Sequence, residues 1–458
     1  MRRAQAVQVS AEDVVLPPGP RIPGLVALAA YVVSRRRFLG ALKKRYGSTF
    51  SLSMPPFGNV VVLTSADLTK QLLSTKPEVA GSIQPDLGNV LGPGSTFALE
   101  GQEHLRRRRL MAPPFHGRRL RTYEDVMVEE ASREAATWPQ GVEFETTPAF
   151  LRLTLAIILR AVLGATGKHY DDLQRLMPEV AELGARLTVA PIQDRGRPWG
   201  AWARYRRLRR EYDEVALDLI ATARRDPDLN ERDDVLAMLI QAHYDDGSQM
   251  TDQEIADELL TMLGAGHETT ANTLAWAFER LTRHPRLLDR LVAEVDAGGD
   301  ELLTATIFEV QRARPVITEI GRKVLAPSME LGPWRLPRGH QVIAAVDFVQ
   351  ADPNAFVDPD SFAPDRFLSA RPESSSWIPF GGGTRRCIGA AFADMEMKVV
   401  LRTLLQGWEF AATTAPDEAW SSRGVSWTPA DGGRVKAYRR AAPQLLPIDG
   451  DAATAASR

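Results

Sequence analysis

The chain has 458 residues, 44% of them apolar, with a net charge of −2 and an isoelectric point near 6.4. That balance is ordinary for a globular core and argues against a constitutive nucleic-acid binder, which needs a clustered excess of positive charge. The one cysteine, Cys387, excludes an intrachain disulfide and any zinc or iron–sulfur site built on several thiolates; it is either a core side chain or a single special ligand or nucleophile.

The N-terminus MRRAQAVQVSAEDVV has charges but no apolar run of the secretory type, so an intracellular, cytoplasmic protein is expected, with residues 1–15 a flexible lead. After the turn-rich LPPGPRIPG, the apolar stretch from Ile22 to Val33 falls short of the roughly 20 residues of a spanning helix and is expected to make core contact or, at most, a weak peripheral membrane contact. FLGALKKRYG predicts a helix ending at Gly47, and TFSLSM and NVVVLT around a PPFG turn predict a β-hairpin. From about Ser65 to Ala313 the apolar spacing is mainly helical, broken by Gly/Pro/Asp clusters. Within it, GQEHLRRRR (from Gly101) and RYRRLRR (204–210) carry arginine runs whose plainest assignment is a solvated face.

The strongest helix signal is the capping box Thr251-Asp-Gln-Glu254, followed by apolar positions through Leu281, which predicts a helix about 45 Å long. Gly264 and Gly266 interrupt it at a cost of about 1 kcal/mol each relative to alanine, so something must require them. Beyond Pro315, VITEI and QVIAAV predict short strands, and Asp352 to Pro379 predicts a long irregular segment of the kind that is usually functional. A last helix, GAAFADMEMKVVLRTLL, precedes short strands from Gly407 to Tyr438 and a polar tail over 446–458 expected to be disordered. Without repeats or linkers, one mainly helical α+β domain over 16–445 is expected.

Cys387 lies in FGGGTRRCIG, just ahead of that last helix. A helix N-terminus and the flanking Arg385 and Arg386 predict an ionised sulfur, and the glycines let the backbone approach something bulky. Taken as F-x-x-G-x-R-x-C-x-G, residues 380–389 match at every defined position the haem-binding loop of the cytochrome P-450 superfamily, and the chain resembles that family from about Pro17 to Tyr438, especially its soluble actinobacterial members. Glu309-Val-Gln-Arg312 with Pro364-Asp-Arg-Phe367 is similar to the family's buried network, here Glu309, Arg312 and Arg366. Ala265-Gly-His-Glu-Thr-Thr270 is similar to its oxygen-activation motif. The segment from His104 to Arg108 resembles its propionate-binding helix, while Gln350-Ala-Asp-Pro353 departs from a common His-Arg-Asp-Pro and is expected to weaken an accessory contact.

The resemblance implies the cytochrome P-450 fold and a haem b cofactor with Cys387 on the iron. It implies His104, Arg108, Arg322 and Arg385 near the propionates, and Gly266, Phe380, Gly383 and Gly389 beside the ring. Gly266 would admit the haem face, and a local break in the helix ladder would hold water near Thr269. It implies Thr269 as hydrogen-bond partner of activated oxygen and Glu268 as proton relay. The expected activity is a monooxygenase that inserts one atom of O2 into an apolar small molecule, with electrons from a ferredoxin or flavodoxin and its NAD(P)H-dependent reductase; a monomer is expected. The alternatives are a peroxide-using relative, a non-catalytic haem or ligand-binding protein, and a cofactor-free cysteine hydrolase.

Overall fold

The computed structural model describes residues 14–55, 57–83, 85–115, 117–189 and 194–440. The tail expected over 446–458 lies outside the described residues, as does most of the N-terminal lead. Val15, assigned to that lead, is instead bridged to Arg335 by two backbone hydrogen bonds of 3.1 and 2.9 Å.

Helices dominate, and the long one starting at Thr251 organises them. It runs unbroken over Asp252–Thr282, and its capping box forms in both directions, Thr251 accepting from the Glu254 N–H and Glu254 accepting from the Thr251 N–H. From Leu274 to Thr282 every side chain is buried, because this end runs through the main core, where Phe278 lies between Phe150 and Phe410 at 5.5 and 4.5 Å. The apolar helix Thr146–Ala161 packs along it, and Thr154 donates across to the His267 carbonyl at 2.9 Å.

Strands are short. In chain order they are β1 Thr49–Met54, β2 Gly58–Leu63, β3 Ala80–Ser82, β4 Glu143–Glu145, β5 Glu319–Val324, β6 Ser328–Leu331, β7 Trp334–Pro337, β8 Gln341–Ala345, β9 Trp408–Phe410, β10 Trp420–Ser422, β11 Trp427–Pro429 and β12 Arg434–Arg439. The expected hairpin is β1 with β2, in register from Thr49↔Leu63 to Met54↔Gly58, and the largest sheet has the order β1-β2-β8-β5-β3. VITEI is a strand only from Glu319 onward. Ahead of it the backbone serves other elements, the Val316 carbonyl accepting from Trp427 and the Thr318 carbonyl from Arg35.

Two expectations about the N-terminal segment and the long irregular segment are sharpened. The apolar Ile22–Val33 stretch forms the first half of a helix, Gly24–Tyr46, that leaves helical geometry at Ser34 and ends, as expected, at Gly47. The irregular segment over 352–379 holds one short 3-10 turn, Pro364–Phe367, and takes its shape from side chains of the helix Glu301–Ala313.

Candidate active site

Phe380–Gly389 forms a tight loop ahead of the helix Ala390–Gly407, closed by the Cys387 N–H donating to the Phe380 carbonyl at 2.8 Å. The half-buried Phe380 ring packs edge-on to Trp377 at 6.1 Å. Gly383 has φ 65°, and a Cβ there would lie 2.0 Å from the Leu73 carbonyl oxygen; one on Gly382 would lie 2.8 Å from the Leu73 side chain. These glycines therefore seat the loop on the helix Ala66–Leu73. At Gly389 a Cβ would meet nothing, which leaves room beside the sulfur.

Cys387 is open to solvent yet enclosed by protein, its sulfur lining a deep concavity. Desolvation pushes its thiol up, and the Gly389 N–H, Arg108 and Arg386, which all favour the thiolate, do not overcome it. In the chain without its metal, desolvation thus opposes the ionisation that the helix end and arginines favour. A bound metal would supply the stabilisation of the thiolate that solvent does not.

Around this concavity stand three arginines and one histidine, from three elements. His104 and Arg108 come from the helix Gly101–Met111, Arg322 from β5 and Arg385 from the cysteine loop. His104 is buried and is pushed down to about 4 by desolvation and by Arg385, Arg108 and Arg322. Arg322 falls to about 10 through burial and the nearby Arg385, while donating to the Gly382 carbonyl at 3.2 Å. Arg385 reaches the Leu99 carbonyl at 2.6 Å and Glu100 at 2.9 Å, and burial lowers it and Arg108 as well. Among the described residues, Glu100 is the one carboxylate paired in this cluster. Mutual repulsion is the signature of a cradle for an acidic group, so the residues present fit haem: a sulfur ligand, room at Gly389, and cations for two propionates.

On the central helix, Ala265 stays exposed and Thr269 half-buried one turn on, with the Thr269 hydroxyl donating to the Ala265 carbonyl at 2.8 Å. The disruption expected at Gly264–Gly266 is not seen. A Cβ on Gly266 would lie 2.8 Å from Ile158 Cδ1, so the glycine also lets the two helices pack closely. Glu268 is 8% exposed and accepts from Arg423 Nε at 2.8 Å. Arg423 lies between β10 and β11, 155 residues away, and no local sequence signal points to it. One residue further, Thr270 hydrogen-bonds the buried Glu396 of the final helix, whose carboxyl burial raises well above its usual range.

Arg107, expected on a basic surface, is instead 3% exposed and donates to Glu254, Glu258, Tyr244 and the Gly94 carbonyl. Its partner Glu258 is fully buried, one carboxyl oxygen lacks a partner among the described residues, and desolvation raises it to about 7. The folded state thus holds this proton where the unfolded chain releases it, so stability from this group is complete below pH 4.5 and declines as pH rises towards 7. Glu258→Gln should flatten that decline and gain stability relative to the parent at pH 8. Urea unfolding of the haem-loaded protein at pH 5 and 8 checks it, and parallel pH profiles would refute it.

Glu309, Arg312 and Arg366 meet as the resemblance implies. Arg312 binds both oxygens of Glu309, at 2.7 and 2.8 Å, and Arg366 Nε lies 3.3 Å from Glu309 Oε2. Arg312 also donates to the carbonyls of Gln350, Pro359 and Ser361, and the Ala363 N–H donates to Glu309 at 2.8 Å. Gln350, the departure expected to weaken a contact, is a second anchor: fully buried, it donates to the Gln311 and Arg312 carbonyls and accepts from the Ile378 N–H at 2.8 Å.

A helix-rich fold with a cysteine loop facing a cationic cradle defines a haem-thiolate protein. The family model for cytochrome P450 matches residues 17–432, and the chain belongs to that family, whose members are haem-dependent monooxygenases using O2 and a redox partner. It is 51% identical over 429 residues to "Putative cytochrome P450 138" of Mycobacterium tuberculosis, covering 93% of this chain and 97% of that protein. It is 39% identical to "Putative cytochrome P450 135B1" of the same organism, over 92% of this chain and 91% of that protein. Among solved structures, retinoic acid-bound cyanobacterial CYP120A1 superposes with a TM-score of 0.82 at 23% identity, covering 93% of this chain and all of that one, which establishes the fold.

Proposed function

We propose that this protein is a haem b monooxygenase that inserts one atom of O2 into a largely apolar small molecule, with Cys387 as the iron's protein ligand. The observation that carries this is the convergence of His104, Arg108, Arg322 and Arg385 about the concavity that Cys387 lines. When bound, haem supplies the oxidising chemistry, and thiolate ligation pushes electron density toward cleavage of the O–O bond. The chain's own part is to hold the propionates through the three arginines, with His104 as a neutral hydrogen-bond donor, to keep the Thr269 hydroxyl on the open face of the central helix, and to hold Glu268 as a proton carrier behind it.

Electrons would come from a ferredoxin or flavodoxin with its NAD(P)H-dependent reductase. The exposed Arg386 of the cysteine loop supports this, as a cation that an acidic carrier would meet there, whereas Arg106 and Arg109 are paired with Asp246 and Asp245. An apolar substrate is supported by the half-buried Met262 ahead of Ala265 and Val316 beside the β10–β11 hairpin, while Leu259, Leu260 and Leu263 are taken up by the core. One domain over 16–445, working as a cytoplasmic monomer, completes the proposal.

The carbon monoxide difference spectrum of the reduced protein tests the ligand. A band near 450 nm (~450 nm for thiolate ligation) is expected in the parent and its loss in Cys387→Ala. A folded parent without that band contradicts the assignment. Hydrogen peroxide supporting turnover as well as reduced carrier does would favour the peroxide-using alternative, which has less need of Thr269 and Glu268.

A further inference from the structure

Eight of the fifteen large apolar side chains that stand exposed among the described residues lie between Val15 and Phe57. On the helix Gly24–Tyr46 they form a stripe: Leu25 and Val32 are 71% exposed, Val26 53% and Val33 82%, at spacings of seven that put them on one face. The start of this helix is seated on the hairpin turn, where a Cβ at Gly24 would lie 2.7 Å from Pro55, so the exposed Phe57 of the same turn extends the patch. A solvent-facing helix surface is normally polar, and a contiguous apolar one marks an interaction site.

Charge identifies the partner. Between Asp13 and Asp67 the sequence has no acidic residue and seven basic ones: Arg21, Arg35, Arg36, Arg37, Lys43, Lys44 and Arg45. The acids that approach from other elements, Glu319 and Asp347, are taken up by Arg35, with Arg36 also 3.3 Å from Asp347. Arg36 remains half-exposed and lies over the Trp420 ring at 4.8 Å, while Arg37, Lys44 and Arg45 are exposed. An apolar stripe followed by cations is the pattern of an interfacial helix that lies in the headgroup region of an anionic bilayer. A second copy of the chain would bring the same unbalanced cations face to face, which disfavours pairing through this patch. No helix among the described residues is long and apolar enough to cross a membrane, so the contact would be peripheral.

We propose that the Leu25–Val33 face, with the Phe57 turn and the flanking cations, docks the protein on an anionic lipid surface. Haem-loaded protein is sedimented with vesicles of phosphatidylcholine alone or mixed with phosphatidylglycerol. Binding is expected only to the mixed vesicles and is expected to fall with added salt. Arg37→Gln with Lys44→Gln should weaken it by about five-fold per cation. Val32→Ser with Val33→Ser should weaken it by on the order of ten-fold while leaving the haem spectrum unchanged. Failure of the parent to bind the mixed vesicles at low salt, equal binding by the serine variant, or a concentration-dependent dimer that the serine variant abolishes would each overturn the proposal.

Discussion

Glu309→Gln is expected to destabilise the protein by about 3–5 kcal/mol, the cost of leaving a buried charge without its partner. Glu309 is fully buried and Arg312 is 2% exposed. Without the carboxylate, Arg312 keeps its bonds to the Gln350, Pro359 and Ser361 carbonyls but loses its counter-charge, and the Ala363 N–H loses its charged acceptor. The damage should spread through the irregular segment over 352–379 toward the cysteine loop, so haem retention should fall with stability. Arg312→Met should be similarly costly, because the Gln350 and Pro359 carbonyls lose their Arg312 donor and Ser361 keeps only Arg366. The double variant should cost much less than the sum, since neither charge is then orphaned. Thermal midpoints and haem content of the four proteins decide it. An effect below about 0.5 kcal/mol, typical of an exposed pair, would show that this network does not hold the segment.

That network was readable as three residues but not as a mechanism. Glu309 and Arg312 share a helix face by spacing, and the capping box, the β1–β2 hairpin and the cysteine loop are similarly local, so each could be read from a few neighbouring residues. What escaped depends on which element packs against which. Gly266 and Gly383 were legible as glycines, but their close contacts, Ile158 and the Leu73 carbonyl, come from other helices. Arg107 sits in a run of four arginines that looks solvated, and only the fold buries it against Glu258. Cys387 is a further case: helix end and arginines are visible in sequence, the desolvation that raises its thiol is not. Gln350 shows the converse, a departure from a motif that the fold uses fully.

In Thr269→Ala the haem spectrum should be kept while the electrons consumed appear as hydrogen peroxide rather than product, because the hydroxyl on the open face of the central helix is gone. Glu268→Gln should slow product formation by on the order of 10²-fold, the scale of a lost proton-transfer group. Arg423 allows these two roles to be separated. It donates to Glu268 at 2.8 Å from the β10–β11 loop, and it is joined to that loop's frame by its own N–H bond to the Ser426 carbonyl. Arg423→Gln removes the donor that fixes the Glu268 carboxyl group, so product formation should slow, though less than in Glu268→Gln, while the haem spectrum is kept. With a substrate found by its shift of the haem spectrum, and a surrogate ferredoxin and reductase, the measurements are the rate of product formation and product formed per NAD(P)H. Unchanged coupling in Thr269→Ala, or an unchanged rate in Arg423→Gln, would remove the corresponding residue from proton delivery.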